Sequence, residues 1–297
     1  MACWILGFCT SEAQNMNSMV RFAKTQPLGA VGFSIILLIL IAACAPQWLA
    51  PYDPVEIDFT AMLTGPSASH WLGADQFGRD IFSRLVYGAR TALSIGFWSS
   101  FLGCTLGAAI GVASAYFGGK TDLLVQRLID ILLSFPVIVL AVVVVAMLSS
   151  KVVAGVDLNL ILAIALPIVP RAARVVRAAT LSVREMLYVD AARAAGYSNW
   201  RIMFVHIAPN VMAPYLIVLT SYIAQAILLE ASLSFLGLGV TEPTAAWGLM
   251  LSGSATDFYR EAPWMIIFPG VAISLSVFAF NLFGDSLRDW FDPKFIG

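Results

Sequence analysis

The sequence predicts an all-α polytopic membrane protein with six transmembrane helices and both termini in the cytosol. Three observations carry that expectation. The 297-residue chain is 60% hydrophobic and only 12% charged, about half the charged fraction of an ordinary soluble domain. Its mean hydropathy is +0.85. Apolar runs of about 20 residues, the length a helix needs to cross a hydrocarbon core, recur along it. A net charge of −1 and the lack of any long basic run argue against a nucleic-acid partner. The two histidines, His70 and His206, are far apart. No His/Cys cluster has metal-ligand spacing, so no metal or other cofactor is expected in this chain.

Residues 1–27 form a cytosolic segment. Its apolar run from Cys3 to Cys9 lacks a basic leader and is too short for a secretory signal, and Met16 and Met19 offer later starts. Arg21 and Lys24 precede the first span, 28–49, and hold the N-terminus inside. Ile41-Ala42-Ala43-Cys44 mimics a lipoprotein cleavage box, but it falls after a span long enough to remain a helix. Cys44 and Cys104 lie in apolar spans and read as small hydrophobes; the four cysteines form no CxxC, so no disulfide framework is expected.

Residues 50–90 read as an external loop, with Pro51, Pro54 and Pro66 and the acids Asp53, Glu56 and Asp58. Ile81, Leu85 and Val86 recur at helical spacing with Arg84 and Arg90 off that face, which suggests an interfacial helix leading into the second span.

Residues 91–287 hold five spans. In the second, 91–116, Gly103, Gly107 and Gly111 form a small-xxx-small stripe suited to close helix packing. Gly118 and Gly119 make a tight loop. The following Lys120-Thr121 resembles a phosphate loop only superficially, because Ser114 occupies the first glycine's place and no strand precedes it. The third span, 123–148, carries Pro136 as a kink. Lys151 and Asp157 bracket a short external loop. The fourth begins near Leu158, and Arg171 follows after some 13 apolar residues. Either the membrane segment starts earlier, near Val152, or the helix tilts and Arg171 snorkels. The fifth span covers 211–236 and the sixth 264–283, separated by an outer loop with Glu242, Trp247, Asp257, Arg260 and Glu261. Residues 288–297 are a cytosolic tail. On this topology twelve of the seventeen basic residues are inside, and Arg79, Arg84, Arg90, Lys151 and Arg260 are outside.

Between the fourth and fifth spans lies a polar island, 188–209. Asp190, Ala191, Ala192 and Arg193 favour a helix, and alanine lets another surface approach the backbone closely. Gly196 permits the positive φ of a sharp reversal. A second helical run starts near Ser198, and Pro209 stands at the foot of the fifth span. Two acids fall within apolar spans. Asp130 is three residues from Arg127, a pairing distance on a helix. Glu230 lies late in the fifth span, where two readings stand: packing, or lining a pathway. A mid-bilayer charge costs on the order of 3 kcal/mol, so both acids face protein or water.

The spacing in 188–209 resembles the coupling loop of ABC importer permeases: an acid, two alanines, three residues, a glycine, nine residues, then a segment ending in proline. Asp190 replaces the commoner Glu, and His206 and Ala208 stand where that pattern prefers Ile and Leu. Further stretches are similar to the C-type permease subunit of bacterial dipeptide and oligopeptide ABC importers: HWLGADQFGRDIFSRLVYGAR (70–90), RLIDILLSFP (127–136), EASLSFLGLGV (230–240) and NLFGDSLRDWFDP (281–293). The resemblance runs from about residue 28 to the end.

It implies a type I ABC importer permease fold in the bacterial inner membrane. It also implies a homologous second permease, two ABC ATPase subunits that bind ATP and Mg, and an external solute-binding protein. The chain itself would perform no covalent chemistry. The coupling loop would carry ATPase closure to the third to fifth spans and rock them between inward-open and outward-open. The importers of this branch carry peptides, glutathione, nickel chelates or opines. A competing expectation is a proton-coupled secondary transporter that uses Asp130 and Glu230. A third is a membrane scaffold, which needs no particular spacing in the polar island.

Overall fold

A computed structural model describes residues 25–148, 152–153 and 156–291. The expectations attached to Cys3, Cys9, Met16, Met19, Arg21, Lys24, Lys151 and Lys294 lie outside the described residues. Among the described residues five helices are long and apolar enough to cross a membrane, and a bent pair makes six if it counts as one span.

Helix α1, Pro27–Cys44, starts on proline, whose missing N–H costs nothing in a first turn. Only 17% of its apolar window is buried. It lies at the edge, on α8 (Trp264–Phe291) and on α2 (Ile81–Phe117). A short helix, Pro46–Leu49, leads outwards from it.

Helix α2 runs unbroken for 37 residues. At 1.5 Å per residue it is about 55 Å long, far more than the ~30 Å of a hydrocarbon core. Its first turns therefore stand above the membrane as part of the same rod, and there is no separate interfacial helix. The reason is visible at its start. Asp80 caps α2, accepting from the Ser83 amide at 2.8 Å and the Ser83 hydroxyl at 2.7 Å. Arg84 is 1% exposed, so the expectation that it lies off the buried face is wrong. Its charge is tolerated because it donates to the Pro54 carbonyl at 2.9 Å and sits 3.7 Å from Glu242 and 4.0 Å from Asp75. Arg79 donates to Asp75 at 2.7 Å and to Glu242 at 2.8 Å. This cluster joins the segment that precedes α2 to the one that carries Glu242. Trp247 and Trp264 reinforce it by donating to the Leu85 and Ala74 carbonyls.

The most extensive helix contact is α2 against α5, Leu158–Arg184. The glycine stripe makes it. A Cβ at Gly103, Gly107 or Gly111 would meet the Ala165, Val169 or Ala173 carbonyl at 2.8, 2.5 and 2.5 Å. Helix α5 is the central element, with 67% of its apolar window buried. It begins at Leu158, capped by Asp157, which accepts from the Asn159 amide at 2.9 Å. The start near Val152 is thereby excluded: Val152–Val153 pairs antiparallel with Val156–Asp157 as a small hairpin, where a plain loop was expected. Pro167 and Pro170 sit inside α5 without breaking it.

The third crossing is bent. Helices α3 (Gly119–Leu133) and α4 (Val137–Met147) meet at 90°. Pro136 is the cause: it forces the preceding Phe135 out of helical backbone and starts the next helix at Val137. Helix α7, Met212–Phe235, packs on α2 and α8 and closes the core. One apolar cluster joins α2, α5 and α7, with Ile95, Ile164 and Leu233 fully enclosed, and a second, around Ile227, joins α1, α2, α7 and α8.

Candidate functional site

The polar island folds as a two-faced platform beneath α2 and α5. Helix α6, Leu187–Ala194, ends in a Schellman turn. Gly196 has φ +77°, its N–H donates to the Arg193 carbonyl at 2.9 Å, and the Tyr197 N–H donates to the Ala192 carbonyl at 3.2 Å. Nothing stands within 4 Å of a Cβ at Gly196, so the glycine is required by backbone angle alone.

The second helical run differs from the regular helix expected. After one α-turn capped by Ser198 (Asn199–Arg201), Ile202–Ile207 is π-helical and Ala208–Val211 is 3-10. Pro209 explains the change. It has no N–H to give the Val205 carbonyl, and in an α-helix its ring would collide there. The wider π-turn relieves the clash, and the Asn210 side chain satisfies the His206 carbonyl at 2.6 Å.

The underside is apolar and closed. Val189, Ala192, Ile202, Met203 and Ile207 pack with Tyr116 of α2 and Val176 of α5. The Tyr116 hydroxyl donates to Asn199 at 2.9 Å, fastening the platform to the foot of α2. The opposite face is open and also apolar. Leu187 is 86% exposed, and Trp200 and Phe204, 67% and 65% exposed, stack on each other at 5.9 Å. Arg201 lies 4.2 Å over the Tyr197 ring, which stacks on His206. Large exposed rings are thus grouped on one face of a short platform. Sequence reasoning singled out the backbone motif and missed these rings; the exposed Trp200/Phe204 pair at i, i+4 was the signal that could have found them.

Asp190 pairs with Arg193 at 3.0 Å, and both are largely exposed. Helix α5 is tied by charge to the helices beside the platform. Arg177 donates to Asp122 of α3 at 2.7 Å, and Ser114 also bonds Asp122. Arg184 donates to the Ala115 carbonyl at 2.6 Å. Arg174 pairs with Asp130. This corrects the expected Arg127–Asp130 pairing: Arg127 is exposed, and the crossing of α5 places Arg174 against Asp130 instead. Asp130 is itself half-exposed on α3, before the bend, rather than sunk in an apolar span.

Glu230 is 1% exposed at the top of α7. It accepts from the Ser234 hydroxyl at 2.8 Å, and Ser234 also accepts from the Val240 amide at 3.2 Å, where the chain turns back across Gly237 and Gly239. Asp130 and Glu230 thus sit on different helices with different partners, and no described residue links them.

Residues 105–297 match the family described as binding-protein-dependent transport system inner membrane component. The chain is 41% identical over 275 residues to the glutathione transport system permease protein GsiD of Pectobacterium atrosepticum, covering 92% of this chain and 89% of that one. It is 44% identical over 272 residues to the dipeptide transport system permease protein DppC of Alkalihalophilus pseudofirmus, covering 91% and 87%. Among solved structures, the inward-facing MetNI methionine ABC transporter shares the fold at TM-score 0.56 and 20% identity, covering 71% of this chain and 97% of that one. The proton-coupled alternative finds no support in these likenesses or in the placement of the two acids. The chain belongs to the inner-membrane components of binding-protein-dependent transport systems: it is a multi-pass permease subunit of an ABC importer that works with an ATPase and a solute-binding protein.

Proposed function

We propose that the chain forms half of a translocation pathway for di- or oligopeptides or a related solute such as glutathione, together with a homologous second permease. One ATPase subunit docks on the 188–209 platform and a second on the partner permease, and these subunits bind the ATP and Mg; this chain catalyses no reaction of its own. Both termini and the platform face the cytosol. The charge asymmetry supports that orientation, because the basic residues around α5 and the platform cluster at one end of the bundle.

The observation that carries the reading is the platform itself. Its underside is welded to α2 and α5, while its outer face presents Leu187, Trp200 and Phe204, which no described residue covers. A surface so built transmits a push. Asp190, Ala191, Ala192, Arg193 and Gly196 shape the face that enters the ATPase, and Pro209 sets the angle at which the push reaches α7. The substrate class rests on the names of the relatives.

The test is affinity purification of the chain in mild detergent, with the bound subunits identified and counted. Two ATPases and one related permease are expected. Gly196→Pro cannot adopt φ +77° and loses the N–H given to Arg193, so it should keep the second permease, shed the ATPases and abolish uptake. A Gly196→Pro complex that retains its ATPases and transports normally would refute the coupling role.

A further inference from the structure

The arginines of α5 recur every three residues, at 171, 174 and 177. Two of them are neutralised by α3, through Asp130 and Asp122. The ladder then runs out. Opposite Arg171 the partner helix has been broken by Pro136 and turned through 90°, so Val137 and Ile138 of α4 stand there in place of an acid. Arg171 makes no hydrogen bond or ion pair with any described residue. It lies 13 residues into α5, about 20 Å below its outer end, at membrane depth.

A bare guanidinium at that depth is costly against lipid and is retained where it faces a water-filled path or a ligand. Arg171 borders such a space. A cavity of about 310 Å³ opens between α4, α5 and α7. Its walls are apolar apart from three polar heads: Arg171, Gln225 and Ser232. Gln225, like Arg171, makes no hydrogen bond with any described residue. Ser232 gives its proton to the Leu228 carbonyl and so offers an oxygen as acceptor. The volume falls at the lower end of the range for small-molecule sites. A planar cation with several donors, beside a carboxamide and an acceptor oxygen in an apolar slot, suits a small solute with one carboxylate and neighbouring amide groups.

We propose that Arg171 receives the carboxylate of the transported solute within this cavity, with Gln225 bonding the adjacent amide. This rests on the peptide or glutathione reading above, since both solutes carry a terminal carboxylate. Arg171 then serves as a way-station in the pathway. It holds the solute's charge after release from the binding protein, and the bond is single enough to be broken when the helices rock.

The test uses the complete importer in proteoliposomes with its binding protein and labelled dialanine or glutathione. Uptake per ATP hydrolysed is measured beside ATP hydrolysis stimulated by the binding protein. R171Q should keep its partner subunits and its stimulated hydrolysis within about twofold, while uptake per ATP falls about tenfold, as loss of one charge-assisted contact implies. R171K should recover part of the loss, and Q225L should lower uptake per ATP in the same direction by about threefold. Unchanged uptake per ATP in R171Q overturns the proposal. So does loss of the second permease from the R171Q complex, which would make Arg171 an interface residue. A deficit seen only in vesicles containing phosphatidylglycerol would assign it to lipid phosphate and overturn it as well. If the wild-type importer hydrolyses ATP but takes up neither solute, the substrate reading itself fails, a result distinct from normal uptake by R171Q.

Discussion

Gly107 is, with Gly111, among the closest points of the α2–α5 joint, and replacing it with alanine should loosen the whole bundle. A Cβ built there stands 2.5 Å from the Val169 carbonyl, 2.8 Å from the Ala172 Cβ and 2.9 Å from the Ala173 nitrogen. Ordinary contact begins at 3.4 Å, so one helix must retreat by 0.9 Å, the difference between 3.4 and 2.5. Two of the three obstacles are backbone atoms, which cannot rotate away. A gap of about 0.5–1 Å forfeits a quarter to a half of the dispersion attraction of each contact it opens. Overpacking of this kind costs about 1–3 kcal/mol, partly offset by alanine's higher helix propensity of at most ~1 kcal/mol. A net loss of about 1 kcal/mol lowers the melting temperature by about 2–4 °C in a protein of this size. The control is Gly270 in α8, where an added Cβ meets nothing within 4 Å. Gly270→Ala should leave the melting temperature unchanged or raise it slightly. Both variants can be compared by tryptophan fluorescence melts in one detergent. Equal melting temperatures for Gly107→Ala and Gly270→Ala would show that the glycine stripe is not what sets the helix separation.

The cross-helix pair of Asp130 and Arg174 is half-exposed, so Asp130→Ala should cost at most about 1 kcal/mol. Asp130→Arg should lower ATP-driven uptake by placing two cations together, and the swapped pair Asp130→Arg with Arg174→Asp should restore it; failure of the swap would show that the pair does not join α3 to α5. Glu242→Ala removes a carboxylate from two enclosed guanidiniums, Arg79 and Arg84. Because Glu242 is itself 49% exposed, water replaces part of its charge, and a destabilisation of about 2 kcal/mol is expected. A melting temperature equal to wild type would mean that Asp75 alone balances both arginines.

The sequence by itself determined whatever depends on neighbours a few residues apart or on composition. The membrane-spanning class and the approximate places of the spans followed from hydropathy. The turn at Gly196 followed from alanines and a glycine whose hydrogen bonds all close within five residues. The break at Pro136 followed from proline's effect on the residue before it, and the contact role of Gly103, Gly107 and Gly111 from their common helix face. Tertiary structure decided the charge pairs that cross between helices and segments. Asp130 had Arg127 within reach along its own helix, yet the crossing of α5 put Arg174, 44 positions away, against it. Arg84 was assigned to an open face because its partners, Pro54 and Glu242, lie far along the chain in segments that only folding brings together. Arg171 could be seen as a basic residue in a span, but its lack of a partner depends on where α4 points after the bend. Hydrogen-bond closure in a turn is a local matter. The partner of a long charged side chain is set by how helices cross, and helix crossing is fixed by packing over the whole bundle.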